Sequence, residues 1–334
     1  MSATLSGRAA APAPLRTGFL TDGFAELQRR QPLLASVAFV FVLALIPVLI
    51  AQQIDPRTVN GINVWIKPAK FLLSLALYYV TLAWFFGLLS PEARRSRGAR
   101  YVVVAPIVAG VLEMAWLIAA AMHGVPAHFN VGDPVWRAAY LMGGVGSLVL
   151  VSAMAVQGTL IARERSVPAH PAYRRAVVLG SWLGAVATLL VAGYLSSRTG
   201  HWVGGPPTDT GGLPIVGWAR QGGDLRPAHF LALHLQQLLP LAGWLIARSG
   251  VARPLRVVDA VAALSLLAVA AVFVQALLGV PLFGSVMPHA QATAARAPGA
   301  LCAALKFEHR VPGLHDHRHL EHFEIRTFHV GFSR

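Results

Sequence analysis

Charged residues are scarce in this chain. Asp, Glu, Lys and Arg make up 13% of its 334 residues, whereas hydrophobic residues make up 55%. A soluble domain carries about 25% charged residues, so this composition argues against a soluble protein and favours a lipid bilayer as its main surroundings. The formal net charge of +14 would suggest nucleic acid in a soluble protein. Here the arginines fall between apolar runs, so membrane topology explains them and no nucleic-acid partner is predicted.

Cysteine is almost absent. The single Cys302 excludes an intrachain disulfide, a four-cysteine zinc site and a CxxC redox pair. The chain also lacks a Walker A loop and a dinucleotide-binding glycine fingerprint, which removes the commonest nucleotide-binding classes.

Long apolar runs define the fold class. Each approaches or exceeds the roughly 20 residues that a helix needs to cross the hydrocarbon core, and no cleavage site follows the first. We therefore predict an all-α integral membrane bundle of seven transmembrane helices, multi-pass in a bacterial inner membrane. The runs cover about 33–52, 68–89, 101–123, 134–162, 174–195, 227–247 and 257–283.

Arginine in alternate loops predicts the orientation. An excess of Lys and Arg marks the cytoplasmic side, which places the N-terminus inside and the C-terminus outside. Residues 1–32 are then a cytoplasmic segment, expected to be disordered or interfacial, and 33–285 form the transmembrane domain. Residues 286–334 are predicted to be an extracytoplasmic, disordered, histidine-rich tail, for which an out-of-frame origin is an open alternative. The arginines of the inner loops are Arg8, Arg16, Arg29, Arg30, Arg94, Arg95, Arg97, Arg100, Arg163, Arg165, Arg174, Arg175, Arg248, Arg253 and Arg256.

Histidines gather at the predicted outer face. Two of them, His229 and His234, are five residues apart on the sixth predicted helix, about 140° apart around its axis, so they cannot bind one metal from a single face. A haem or a transition metal would need a further histidine from another segment. Asp224 is a candidate N-cap of this helix. The candidate cofactor ligands are His123, His128, His201, His229 and His234, and the other polar candidates at this face are Arg198, Asp209, Asp224 and Arg226.

The second predicted helix carries a polar stripe at spacings of three and four residues. In a bilayer such a stripe should face the bundle or a watery cavity, where it could bind an anion, a lipid headgroup or a quinone. Ordinary helix–helix contact is the simpler alternative. The stripe consists of Lys67, Lys70, Ser74, Tyr78 and Thr81.

Glu113 lies near the middle of the third predicted helix. A charged group at this depth costs several kcal/mol, which predicts that the carboxyl is protonated or paired. Intramembrane carboxyls commonly mark a proton or ion path. We therefore group Glu113 with Lys70, Ser74 and Tyr78 as a candidate transport or proton path.

Three segments carry a resemblance. VNGINVWIKPAKFLLSLALYYVTLAW (59–84), GVPAHFN (124–130) and GGDLRPAHFLALHLQQLLP (222–240) resemble a family of uncharacterised bacterial inner-membrane proteins, over roughly residues 30–285. The resemblance implies no activity and supplies no catalytic residues. The seven-helix zinc amidohydrolases share the helix count, but the spacing of His229 and His234 departs from their HxxxH pair. Di-haem cytochromes b need histidines at both membrane sides, and this chain has few at the inner side.

The sequence leaves three hypotheses open. In the first, the outer histidines bind haem or a metal, with His234 and His123 or His128 as axial ligands. In the second, the protein is a proton-coupled transporter or sensor that uses Glu113 and the polar stripe. In the third, it is a membrane assembly or lipid-binding protein without turnover, with a homo-oligomer as an open alternative to a monomer. No substrate or cofactor is identified by the sequence.

Overall fold

A computed structural model describes residues 18–284. The histidine-rich segment 286–334 and residues 1–17 lie outside this range, as do the expectations that fall on them.

Seven helices of the described chain are long and apolar enough to cross a membrane, which confirms the predicted all-α transmembrane bundle. The protein is a multi-pass helical membrane protein; its orientation and its bacterial inner-membrane location stay predictions. Four of these helices begin with proline, which has no N–H to lose in the first turn. The spanning helices are α2 (Pro32–Ile54), α3 (Ile66–Phe85), α5 (Arg97–His123), α6 (Pro134–Arg163), α7 (Pro171–Ser196), α8 (Arg226–Arg248) and α9 (Pro254–Leu277).

Two boundaries differ from the sequence prediction. The segment before the first span was expected to be disordered or interfacial; its residues Phe19–Arg30 form helix α1, and Arg30 donates from Nη1 to the carbonyl of Trp84 at 2.7 Å. The last spanning helix ends at Leu277 rather than near 283, because Gly279 adopts a positive φ of 73° and Pro281 follows. A 3₁₀ turn (Phe86–Leu88) and the short helix α4 (Pro91–Arg94) connect α3 to α5.

Small residues set the closest helix approach. An added Cβ at Gly180 would lie 2.7 Å from the carbonyl oxygen of Leu235, and one at Gly184 would lie 3.4 Å from that of Ala232. Gly180 and Gly184 are four residues apart on α7, and this small-xxx-small pair packs against α8. Apolar side chains of α2, α3 and α5 form the largest core cluster, and α6 packs between this group and α7.

The loops between α2 and α3, α5 and α6, and α7 and α8 lie at one end of the bundle. We call this end, formed by residues 55–65, 124–133 and 197–225, the histidine face, and the opposite end the arginine face. Two short antiparallel pairs stiffen it: β1 (Thr58–Val59) with β2 (Ile62–Asn63), and β3 (Trp202–Val203) with β4 (Gly223–Asp224). The first pair turns at Asn60 and Gly61, both at positive φ, as an Asn-Gly hairpin requires.

Candidate functional site

Backbone and side-chain bonds join the loops of the histidine face. The N–H of Asp209 donates to the carbonyl of Asn60 at 2.9 Å, which fastens the 197–225 loop onto the β1–β2 hairpin. Arg57 donates from Nη1 to the carbonyl of Met122 at 3.0 Å, which fastens the hairpin to the end of α5. The carboxylate of Asp55 holds this guanidinium and the indole N–H of Trp65. These contacts bring three sequence-distant segments into one structural unit.

Asp224 anchors the start of α8, but as an internal ligand rather than as the N-cap. The helix begins at Arg226 with Leu225 as its N-cap. The apolar side chain of Leu225 makes no capping hydrogen bond. The buried carboxylate of Asp224 instead accepts from the N–H of Ala219 at 2.8 Å, from the N–H of Arg226 at 2.9 Å and from the Arg226 guanidinium at 2.7 Å. The loop must double back over the helix start to supply these donors, which local sequence patterns do not reveal.

Asp209 joins the same guanidinium to a histidine. Its Oδ1 lies 2.8 Å from Nη2 of Arg226 and 3.0 Å from Nε2 of His201. Burial alone would raise the pKa of Asp209, but the hydrogen bond from His201 and the positive charge of Arg226 lower it below its usual value. Burial lowers the pKa of His201, so its imidazole is neutral and donates Nε2–H to the carboxylate. This network fixes the loop. Nε2 of His201 is engaged by Asp209 and is therefore not free to bind a metal.

Lys67, His128 and Glu113 form a second polar group. Nζ of Lys67 lies 2.8 Å from Nδ1 of His128, and Nε2 of His128 lies 4.0 Å from Oε1 of Glu113. An ammonium can only donate, so Nδ1 accepts and the imidazole proton sits on Nε2, the side that faces Glu113. Burial, and then the charges of Lys67 and His229, hold the pKa of His128 well below its usual value. Glu113, expected to be protonated or paired, therefore has an imidazole beside it, at a distance longer than a hydrogen bond.

Aromatic rings surround His128. Trp116 stacks on its imidazole with ring centroids 5.0 Å apart and planes 23° apart, and Tyr140 and Phe71 lie 5.7 and 5.9 Å away. The rings cover part of the imidazole and lower the local dielectric, so the polar contacts of His128 are stronger than they would be at an open surface.

The other histidines do not join one cluster. His123 is exposed and lies edge-on to Trp136. His234 bonds Gln237 at 3.3 Å, and Gln237 donates in turn to Thr81 at 3.2 Å. Nδ1 of His229 is buried, and no residue of the described range bonds it. Arg198, also a candidate at this face, lies over the ring of Tyr194 and outside the Asp209 network.

The polar stripe of α3 is only partly internal. Lys70 donates to the carbonyl of Val216 at 3.2 Å, and Tyr78 donates to that of Leu150 at 2.8 Å. Thr81 is buried and bonds the carbonyl of Leu77 in its own helix. Ser74 is exposed although it shares a face with Lys67, so the neighbouring helices leave this depth of α3 uncovered.

A cleft opens beside the network on the histidine face. Its volume is about 380 Å³, and Lys70, Asp209 and the glycines of the 209–217 turn line it together with apolar side chains. Ile215 stands 90% exposed at its rim with a φ of 68°, a backbone conformation that a β-branched residue rarely adopts. The cleft can admit a small solute to the neighbourhood of Lys70.

Metal binding and relatives give no further assignment. Within residues 18–284, no three His, Cys, Asp or Glu side chains are grouped so that they could share a metal ion. No family model, no curated protein and no solved structure matches this chain. The site must therefore be interpreted from its own geometry.

Proposed function

We propose that this membrane protein is a proton-coupled transporter of a small solute, in which Lys67, His128 and Glu113 form the proton-binding site. One observation carries the proposal: an imidazole lies between an ammonium at 2.8 Å and a buried carboxyl at 4.0 Å. Burial of ionisable groups in a bundle is costly and typically serves ion or proton movement. A proton sensor with the same site is the nearest variant of this function.

The geometry defines a balanced relay. His128 can pass its Nε2 proton to Glu113 and take a proton at Nδ1 from Lys67, after which Lys67 is neutral and Glu113 is protonated. The cycle closes when Glu113 releases its proton, the imidazole returns from the Nδ1–H to the Nε2–H form, and Lys67 regains a proton from the aqueous side. The 4.0 Å gap between Nε2 and Oε1 exceeds a hydrogen bond, so this step needs a small ring movement or a bridging water. In this proposal, solute binding controls proton movement by opening or closing the gap between His128 and Glu113.

The cleft on the histidine face is the proposed binding site for the solute. Lys70 lies at its wall one helical turn from Lys67, and its ammonium makes only one hydrogen bond, to Val216, among the residues described. Two donor positions are thus available to a ligand beside the proton site. A solute charge at Lys70 would act on Lys67 and so on the relay.

Fluorescence of Trp116 tests the proton site. An imidazolium stacked on an indole quenches its emission, whereas a neutral imidazole quenches it far less. The emission difference between wild type and Trp116→Phe in nanodiscs should fall as the pH is lowered, with a midpoint below 6.5, because the pKa of His128 is lowered. His128→Asn should abolish the transition. His123→Asn is the matched control, because this exposed histidine contacts Trp136 instead.

An unchanged transition in His128→Asn would contradict the proposed site. Infrared pH-difference spectra of wild type and Glu113→Gln give a second measurement. We expect the wild type to show a carboxyl C=O band that the variant lacks. Identical spectra would mean that Glu113 does not exchange protons.

A haem- or metal-binding function is the second candidate. It is favoured by Nδ1 of His229, which is buried without a partner in the described part of the chain. Lys67 opposes a cation at Nδ1 of His128, so His229 is the more suitable ligand. Oxidised and dithionite-reduced absorption spectra, with metal analysis of protein lacking a His-tag, decide between the two. A Soret band lost in His229→Ala would replace the transport proposal.

A further inference from the structure

Four polar side chains lie inside the bundle with hydrogen-bonding atoms that no described residue satisfies. They are at most 2% exposed. Gln236 lacks a partner at both amide atoms, and Gln157 uses its amide N–H on the carbonyl of Leu82 but leaves Oε1 without one. Buried polar groups are nearly always paired, and lipid offers no substitute. The four are Gln157 on α6, Ser181 and Thr188 on α7, and Gln236 on α8.

Other hydroxyls in the bundle behave differently. Thr159 donates to the carbonyl of Ala155 and Ser265 donates to that of Val261, each at 2.8 Å within its own helix. The same option is open to any helical Ser or Thr. The hydroxyls of Ser181 and Thr188 do not take it, so they remain available to a partner from elsewhere.

Ser181, Thr188 and Gln236 belong to the junction of α7 and α8 with α6, and Gln157 borders this junction on α6. An added Cβ at Gly158 would lie 2.8 Å from Cβ of Ser181, and one at Gly184 would lie 3.5 Å from the backbone N of Gln236. Gln157 precedes Gly158 on α6 and reaches α3, where its amide N–H donates to the carbonyl of Leu82 at 2.9 Å. Ser181, Gly184 and Thr188 follow at spacings of three and four and therefore share one face of α7.

These side chains extend in depth from the level of the proposed proton site toward the arginine face. His229 precedes Gln236 by seven residues on α8, which places it on the same face about 10 Å nearer the histidine face. His229 also acts electrostatically on His128. In the other direction, Gln157 lies six residues, about 9 Å, from the end of α6 at the arginine face. In depth, these positions thus reach from the level of His229 to within two helical turns of the opposite end.

We propose that Gln157, Ser181, Thr188, Gln236 and His229 line a file of water molecules that carries protons through the bundle. Each water accepts one hydrogen bond and donates another, so a proton entering at one end displaces one at the other and no group changes its net charge. The driving force is a proton gradient or membrane potential. This inference rests on the proposed transport function for its purpose, while its physical basis is the set of unpartnered buried atoms.

Radiolytic labelling in ¹⁸O water tests whether the row is hydrated. Met154 is 1% exposed and its Cε would lie 3.2 Å from a Cβ at Gly184, next to the proposed water file. Met114 is 5% exposed and packs in the large apolar cluster, which makes it the matched control. We expect Met154 to be oxidised several-fold faster than Met114, and Gln236→Leu to remove the difference. Equal rates in the wild type would mean a dry junction and would overturn the proposal.

Proton flux tests whether the water file conducts. Full-length protein in liposomes with an internal pH dye is driven by a potassium diffusion potential. Gln236→Leu should lower the initial flux at least about tenfold, which corresponds to about 1.4 kcal/mol in the barrier. Thr188→Val should lower it less, and Thr159→Val and Ser265→Ala should leave it unchanged. Labelling of Met154 with unchanged flux in Gln236→Leu would overturn the proton-carrying role.

The two measurements separate this inference from the proposed function. His128→Asn should remove the Trp116 transition but leave the labelling of Met154 intact. If Met154 is labelled and no pH transition depends on His128, the hydrated row stands and the proton site is wrong. If the transition is found and Met154 is not labelled, the proton site stands and the row is dry.

Discussion

Replacing Asp224 by alanine should destabilise the histidine face far more than removing an exposed carboxylate. The side chain of Asp224 is 1% exposed and holds the N–H of Ala219, the N–H of Arg226 and its guanidinium. Breaking a buried pair costs about 3–5 kcal/mol, because the remaining charge and donors are left unpaired. Arg226 keeps Asp209 at 2.8 Å, so we expect the lower end, about 3 kcal/mol.

Asp259→Ala is the matched control. Asp259 pairs with Arg175, but both side chains are more than 40% exposed, and exposed pairs contribute about 0–1 kcal/mol. At about 2–4 °C per kcal/mol for a chain of this size, the apparent Tm in nanodiscs should fall by about 6–12 °C for Asp224→Ala and by about 2 °C for the control. Asp224→Asn retains one acceptor and should fall between them. Equal losses in Asp224→Ala and Asp259→Ala would refute the role of the buried network.

Three further outcomes follow from particular contacts. Lys67→Met removes a positive charge that lowers the pKa of His128, so the pH midpoint of the Trp fluorescence transition should rise; a fall would reverse the assigned sign. Gly180→Val should lower the Tm by several degrees because its Cβ meets a backbone carbonyl at 2.7 Å, while Gly193→Val, with open space around it, should have little effect. With the native cysteine removed, a cysteine at Gly132 should react with an impermeant maleimide added outside intact cells, and one in the arginine-rich loop before α7 should not; the opposite pattern would invert the predicted topology.

The transmembrane helices could be predicted because lipid imposes one simple condition on each of them. A run of about 20 apolar residues must form a helix there, whatever its neighbours are. The ends of the helices were less predictable, since the break after Leu277 depends on Gly279 and Pro281 rather than on hydropathy. The sequence before the first span left disorder and an interfacial segment as alternatives because it is polar; the contact of Arg30 with Trp84 holds it as helix α1.

The residue types of the site could be predicted from the sequence, but the contacts between those residues could not. Glu113 could be singled out because a carboxyl is rare at its predicted depth, and His128 because it is one of five histidines at the predicted outer face. That they meet, and that Lys67 completes the group, depends on the path of the loop after α5, which no local pattern specifies. Gln157 and Gln236 were not predicted as site residues, although both are uncharged amides in long apolar helices. Such a signal is usable: an amide at this depth must find a partner.

The Asp209 network and the proposed proton site differ in the freedom that their contacts leave. Asp209, Asp224, Arg226 and His201 satisfy one another, with several donors per carboxylate, so this network holds a single arrangement. The Lys67–His128–Glu113 group contains one close contact and one 4.0 Å gap, so two arrangements are within reach of a small movement. A rigid frame beside a group with an open step is what a coupling device needs. Solute binding at Lys70, which lies between the two, would then act mainly on the gap and not on the frame.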